Sequence, residues 1–276
     1  MKFTTTALLT TLLSASALAA PSGGLARRTA RRRSGVQHKS HPYVPAKNIS
    51  SSLQGADKSN DEYSTNWVGA VLVGEGYTGV YGTFTVPTIS LPAGGDEGSS
   101  YYASAWVGLD GYTCESAILQ TGVDFNLEGG SVSFDAWYEW YPDYAYDFSG
   151  ISFSEGDTVK LSIEASSTSS GTVTVENQST GQSVSHSFSQ ESDELCETNA
   201  EWIVEDFSET EGGETTLVPL VDFGTVVFTD AYASTDSGSV GPSNAEIIDL
   251  IDSTGSTIIA TASVVGDSEV VVKHDE

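Results

Sequence analysis

The stretch Ala200-Glu201-Trp202-Ile203-Val204-Glu205-Asp206-Phe207 combines strand-forming side chains with three carboxyl groups. Trp, Ile, Val and Phe favour a pleated, half-buried surface. Side chains alternate between the two faces of a β-strand, so Glu201, Ile203 and Glu205 would share one face. A carboxylate among apolar neighbours is costly unless it is paired or carries a proton. The stretch therefore predicts a strand that borders a polar cleft, or a protein that works in acid.

The chain beyond residue 60 repeats this strand pattern between turns rich in Gly, Ser, Thr, Asp and Asn. About a dozen runs, such as NWVGAVLVG and SVSFDAWYEWY, have the length and spacing of antiparallel strands, and no run predicts a long amphipathic helix. These roughly 215 residues predict one all-β domain, a sandwich of two packed antiparallel sheets. The segment SETEGGETT at 208–216 predicts an exposed loop.

The first residues, MKFTTTALLTTLLSASALAA, have the features of a secretory signal peptide. A lysine precedes an apolar run, and Ala17-Leu18-Ala19 matches the small-x-small pattern before a cleavage site. We assign residues 1–19 to this signal and expect a secreted, extracellular protein. The apolar run is too short for a membrane span, so no membrane association is expected.

Charge divides the chain into a basic leader and an acidic domain. Nine of the 11 Lys and Arg lie in the first 60 residues, where Asp57 is the only acid; the remainder has 37 acids and two lysines. Residues 20–60 contain few large apolar side chains and cannot form a core. We therefore predict a basic propeptide over 20–60 that masks an acidic catalytic domain over 61–276.

The acidic domain excludes nucleic acid as a partner, because phosphate binding needs clustered Lys and Arg. Unperturbed Asp and Glu titrate near pH 4, so the domain loses most of its self-repulsion in acid. The composition favours a protein that works at low pH.

The two cysteines, Cys114 and Cys196, predict one disulfide in a secreted chain. By the chain-entropy account, closing so long a loop contributes roughly 4 to 5 kcal/mol. Asn48 and Asn177 begin two possible N-glycosylation sequons.

Elimination narrows the chemistry to carboxyl and amide groups. Beyond residue 60 the only histidines are His186 and His274, too few for a histidine zinc site and poorly placed for a Ser-His or Cys-His site. No phosphate loop or dinucleotide fingerprint follows a strand. We predict neither a metal nor a cofactor.

Two alternatives use paired carboxyl groups. A glycoside hydrolase or carbohydrate-binding protein would use the aromatic run FDAWYEWYPDYAYDF at 134–148. Glu201 and Glu205 lie about 13 Å apart along a strand, beyond the roughly 5 to 9.5 Å that glycoside hydrolysis requires, although Glu139 facing Glu205 is possible. An aspartic-protease site needs two Asp-Thr/Ser-Gly turns, and Asp236-Ser237-Gly238 is one poorly framed copy.

Five motifs occur in order along the acidic domain. They are Ser64-Thr65-Asn66-Trp67, Ala105-Trp106-Val107-Gly108-Leu109-Asp110-Gly111, Ala117-Ile118-Leu119-Gln120-Thr121-Gly122, Ala136-Trp137-Tyr138-Glu139-Trp140-Tyr141-Pro142 and Asn199-Ala200-Glu201-Trp202-Ile203-Val204-Glu205-Asp206-Phe207. Gln120 lies in an apolar strand, where its amide must find hydrogen-bond partners. Together the motifs resemble the glutamic peptidases, or eqolisins, secreted acid proteases of filamentous fungi. The single cysteine pair departs from the family, which has further disulfides.

The resemblance implies two seven-stranded antiparallel sheets, jelly-roll or concanavalin-like, and a catalytic Gln120/Glu205 dyad. Glu205 would act as general base and acid on water, and Gln120 would donate to the oxyanion. We therefore expect a monomeric acid endopeptidase that acts on polypeptides and is insensitive to pepstatin. Matching positions that would bind substrate are Trp67, Trp106, Asp110, Glu139 and Tyr141, and Tyr138 and Phe207 from the same motifs are further candidates.

Overall fold

The structure, a computed structural model, describes residues 37–47, 49–50, 53 and 61–275. The predicted signal peptide, the arginine-rich part of the leader and Asn48 lie outside the described residues. Residues 37–47 are called the leader strap below. The strands are β1 (Gln37–Lys39), β2 (Asp61–Ser64), β3 (Trp67–Val73), β4 (Tyr77–Thr85), β5 (Ser100–Leu109), β6 (Ile118–Glu128), β7 (Ser131–Tyr141), β8 (Tyr146–Asp147), β9 (Thr158–Ser167), β10 (Ser170–Asn177), β11 (Gln182–Phe188), β12 (Asn199–Glu205), β13 (Ser208–Glu211), β14 (Glu214–Leu217), β15 (Thr225–Thr235), β16 (Gly238–Val240), β17 (Glu246–Ile251), β18 (Ile258–Val265) and β19 (Glu269–His274), and Pro242–Asn244 form one 3-10 turn.

Two mostly antiparallel sheets pack face to face. The order in the first sheet is β8-β7-β6-β5-β12-β3-β17-β18-β19, and the order in the second is β11-β10-β9-β4. Strand β15 joins them, because 225–228 pair with β19 and 229–235 pair with β4. The predicted β-sandwich is confirmed, but the expectation of two seven-stranded sheets is wrong, because the first order contains nine strands and the second four, with β15 contributing to both sheets.

Alternate side chains of β12 point into the core between the sheets and into a second apolar layer on the outer face. Trp202 and Val204 are buried between the sheets, where a fully buried side chain of this size contributes roughly 1.5 to 3 kcal/mol. Ile203 lies on the opposite face with Trp67 and Trp106. The predicted two-faced strand is confirmed, and both of its faces are covered.

A small separate sheet covers one end of the outer face. Strands β13 and β14 form a hairpin across Gly212 and Gly213, which both have positive φ, and β1 of the leader strap pairs with the free edge of β13. The prediction of an exposed loop at 208–216 is therefore wrong about the loop, because the segment is a hairpin, although most of the segment is exposed. Its Glu and Thr side chains are mostly exposed, so composition alone concealed a two-stranded pairing.

The predicted disulfide is confirmed: Cys114 is bonded to Cys196, which ties the loop after β5 to the segment before β12. Asp110 supports the same junction, since its carboxylate accepts four backbone N–H groups from residues 196–199 at 2.7 to 3.2 Å. Among the described residues no helix is long and apolar enough to cross a membrane.

Candidate active site

The outer face of the first sheet collects polar side chains from strands that are far apart in sequence. Cross-strand register between β12, β5, β6 and β7 places them in rows. The first, called the Gln120 row, consists of Glu201, Gly108, Gln120 and Glu139. A second row on the same face, two rows further along the strands, consists of Glu205, Ser104, Asp124 and Asp135. Residues an even number of positions apart along a strand share a face, so both rows point to the same side of the sheet.

Glu205 ends β12 and is fully buried. Its Oε2 accepts the indole N–H of Trp106 at 3.0 Å, and its Oε1 accepts the backbone N–H of His41, in the leader strap, at 3.1 Å. Burial raises the pKa of Glu205 to about 8, although hydrogen bonds from Ser40, His41, Trp106 and Trp67 oppose this rise. With the strap in place, Glu205 therefore takes up a proton far above the usual pH for a carboxyl group.

Gln120 is also fully buried, and its amide oxygen and nitrogen have no hydrogen-bond partner within the described part of the chain. Leaving a buried amide without partners costs roughly 1 to 3 kcal/mol or more. Stability alone does not explain such a group on the cleft face. An amide in this position is available to bind a substrate carbonyl.

Two buried carboxyl groups share the Gln120 row. Burial raises the pKa of Glu139 and of Glu201 well above the ordinary value. Glu139 Oε2 accepts the backbone N–H of Ser40 at 3.2 Å, whereas Glu201 has no partner among the described residues. Gly108 makes room for Glu201, because a Cβ at that position would lie 2.5 Å from Glu201 Oε1. Both groups are neutral acids in the acidic range.

The leader strap lies in this cleft as an extended chain. His38 Nδ1 lies 3.2 Å from Asp124 Oδ2, and the His38 ring packs against Phe207 with a centroid distance of 4.0 Å. The Lys39 ammonium lies 5.0 Å from the ring centroid of Tyr141. Sequence reasoning predicted a masking leader from its charge, but it did not place any leader residue in the cleft. His38, Ser40 and His41 lie outside the arginine clusters on which the predicted mask was based.

Most predicted substrate-binding residues contact the strap or Glu205, and two do not. The residues that make such contacts are Trp67, Trp106, Glu139, Tyr141 and Phe207. Asp110 instead holds the backbone of 196–199, and its proximity to the two disulfide sulfurs reflects that structural junction. Tyr138 lies on the opposite face of β7 and stacks on His186 at 4.0 Å. The structure therefore does not bring Asp110 or Tyr138 to the substrate side of the cleft.

The sequence profile of the peptidase A4 family matches residues 65–274, which include all of β3 to β19. The chain belongs to the peptidase A4 family. It is 51% identical to aspergillopepsin-2 of Aspergillus niger, over 98% of this chain and 99% of that protein. It is 45% identical to scytalidopepsin B of Scytalidium lignicola, over 91% and 92% respectively.

A solved structure supports the same assignment. The crystal structure of scytalido-glutamic peptidase with a transition state analog inhibitor is 44% identical to this chain, covers 76% of it and 98% of the solved chain, and gives a TM-score of 0.70. The resemblance to the glutamic peptidases is confirmed, and this A4-family chain is a peptide hydrolase. The carbohydrate-directed alternative is not supported.

The sequon at Asn177 is structural in this A4-family peptidase. Asn177 is fully buried, and its side-chain nitrogen donates to the Ser152 carbonyl at 2.8 Å and to Asp157 Oδ2 at 2.9 Å. The folded chain presents no accessible amide nitrogen there, so glycosylation at Asn177 is not compatible with this fold. The other sequon, at Asn48, lies outside the described residues.

The Glu201→Gln variant is expected to stabilise the peptidase at neutral pH and to leave it active. A carboxyl group whose pKa is raised on folding contributes most below its unfolded pKa near 4.5, and that contribution is lost as pH rises toward the folded value. Glutamine mimics the neutral acid at every pH. Thermal unfolding should show a gain of roughly 2 to 4 °C or more at about pH 7, and little change at about pH 4. An equal gain at both pH values would contradict a raised pKa at Glu201.

Proposed function

We propose that the chain is a secreted acid endopeptidase in which Gln120 and Glu205 form the catalytic dyad. The observation that carries the proposal is the peptide bond between Ser40 and His41. Its N–H group faces Glu205, as the departing nitrogen of a substrate must, and the buried Gln120 amide has no partner among the described residues. Family membership supports peptide hydrolysis as the reaction.

In the proposed reaction, Glu205 as carboxylate takes a proton from the attacking water. The water oxygen bonds to the scissile carbonyl carbon, and the Gln120 side-chain N–H groups donate to the oxyanion that develops. Glu205 then returns the proton to the leaving nitrogen as the C–N bond breaks. Because an amide does not titrate, Gln120 remains a donor throughout the acidic range.

Removal of the leader strap would prepare Glu205 for this role. Burial is the main cause that raises the pKa of Glu205 to about 8, and hydrogen bonds from Ser40 and His41 of the strap oppose this rise. Opening the cleft admits water, which reduces the desolvation and lowers the pKa toward the ordinary carboxyl value. An accessible carboxylate then becomes available in acid.

The same contacts support the leader strap as an intramolecular mask. The strap adds a strand to β13, occupies Glu205 and Glu139 with its N–H groups, and places His38 beside Asp124. It leaves Gln120 without a hydrogen bond, so its own peptide bond does not engage the oxyanion donor. Attraction between the basic leader and the acidic domain weakens as carboxylates take up protons, which favours release in acid.

The proposed secretion and processing of the chain are argued from its sequence. Residues 1–19 direct secretion, residues 20–60 are removed, and residues 61–276 remain as a monomeric peptidase. Digestion of a denatured protein by the mature form across a pH series tests the activity. Cleavage that is confined to acid and resists pepstatin is expected, whereas release of sugar from a polysaccharide without protein cleavage would overturn the proposal.

The purified Glu205→Gln zymogen is expected to stay full length in acid when no other protease is present. Self-removal of the leader needs the proposed acid-base group, and the substitution removes its ability to exchange protons. Mass spectrometry after acidification measures the leader, and added wild-type mature enzyme serves as the control that the leader is cleavable. Processing of the variant alone at the wild-type rate would refute self-cleavage.

A further inference from the structure

The leader strap follows a continuous backbone-binding channel beyond the dyad. If the His41 nitrogen stands where the leaving amine of a substrate stands, His41 to Val44 occupy the first four primed positions, numbered outward from the cleaved bond. This numbering rests on the proposed function. The channel is formed by residues 64–67 before and at the start of β3, and by Gly111 after β5.

The channel contacts the backbone of each of these four residues. Trp67 Nε1 donates to the His41 carbonyl at 3.0 Å, and Asn66 Nδ2 donates to the Pro42 carbonyl at 3.2 Å. The Gly111 carbonyl accepts the Tyr43 N–H at 2.9 Å on the opposite side. The Val44 N–H donates to Asn66 Oδ1 at 2.9 Å, and the Val44 carbonyl accepts from Thr65 N at 3.1 Å.

Asn66 imitates a neighbouring β-strand. Its amide binds the carbonyl of one residue and the N–H of the residue two positions later, which is the pattern by which a strand edge pairs. The side chain is 2% exposed. The Ser64 hydroxyl accepts the backbone N–H groups of Asn66 and Trp67 at 3.1 and 3.0 Å, so the turn that carries the amide is fixed.

We infer that Asn66 is a substrate-positioning residue that binds the second and fourth primed residues of a polypeptide through their backbone. None of these contacts depends on the substrate side chain. The channel therefore selects for the number of residues on the C-terminal side of the cleaved bond, and not for the side chains at the second and fourth primed positions. A substrate with fewer than four primed residues loses contacts that a longer one makes.

A peptide series with one to five primed residues, each ending in a dimethylamide so that the terminus supplies no N–H, tests the length dependence. For the wild-type mature enzyme, kcat/KM should rise about 5- to 100-fold when the fourth primed residue is added, the value of two net hydrogen bonds, and change little with the fifth. Mass spectrometry identifies the cleaved bond. If kcat/KM does not change with peptide length while Glu205→Gln still abolishes cleavage, the proposed channel is wrong and the proposed dyad stands. Cleavage that survives Glu205→Gln would instead overturn the dyad.

A double-mutant cycle isolates Asn66. N-methylation of the fourth primed residue should lower kcat/KM about 3- to 10-fold in the wild type, and should have little further effect in Asn66→Ala. Methylation of the third primed residue, which meets Gly111, is the matched control and should act equally on both enzymes. Equal effects of the fourth-residue methyl group on both enzymes would refute the role of Asn66. If Asn66→Ala fails to fold, the wild-type length series decides alone.

Discussion

The mature Glu205→Gln variant is expected to fold normally and to lose peptide hydrolysis by at least about 10⁴-fold. One general acid-base transfer contributes roughly 10² to 10⁴, and Glu205 is assigned both the base step and the acid step. Glutamine keeps the shape of the side chain and one acceptor oxygen for the Trp106 indole N–H, so the buried position stays filled. Rates on a defined peptide in acid, followed by mass spectrometry, measure the loss.

Glu201→Gln is the matched control for this variant. It makes the same substitution on the same face of β12, four residues away, in a group that already behaves as a neutral acid. It should retain substantial activity. If Glu205→Gln instead keeps activity within tenfold, or if stoichiometric pepstatin blocks the wild-type enzyme, the dyad assignment is wrong and a two-aspartate site must be sought.

The strands and the faces of β12 could be predicted because alternation is a local property of the sequence. The distribution of strands between sheets could not, since nothing in Thr225–Thr235 marks the change from β19 to β4 as pairing partner. The Gln120 row depends on register across three strand pairs, which alternation does not specify. Tyr138 is different, because alternation with Glu139 could have placed it on the opposite face.

The contacts of the leader could not be predicted from the sequence either. Charge patterning indicated that residues 20–60 are opposite in charge to the acidic domain, and the strongest part of that signal is the arginines. The contacts in the cleft come from His38 and from backbone groups of Ser40 and His41, whose positions depend on the edge of β13 and on residues 64–67. Backbone recognition leaves no signature in side-chain composition, so neither the strap nor the channel could be predicted from the sequence.

Replacement of Gln120 is expected to lower kcat by about 10² to 10³, with a smaller effect on KM. Removal of one oxyanion donor costs roughly 3 to 4 kcal/mol in the transition state, where the charge develops, and little in the ground state. Steady-state kinetics of Gln120→Ala in acid separates the two parameters. A rise in KM with unchanged kcat would show that Gln120 binds the substrate carbonyl without stabilising the oxyanion.

Gln120→Glu provides a sharper test than alanine, because a carboxyl group can donate a hydrogen bond only while it is protonated. The new group would lie between Gly108 and Glu139 in the Gln120 row, a buried environment that raises the pKa of Glu139. Residual activity of Gln120→Glu relative to Gln120→Ala should therefore increase as pH falls, since the protonated acid partly replaces the amide donor. Because alanine has no donor at any pH, its residual rate should follow the wild-type pH profile. Equal residual rates of the two variants at the acidic end of the profile, where the carboxyl group is protonated, would mean that position 120 does not donate to the oxyanion.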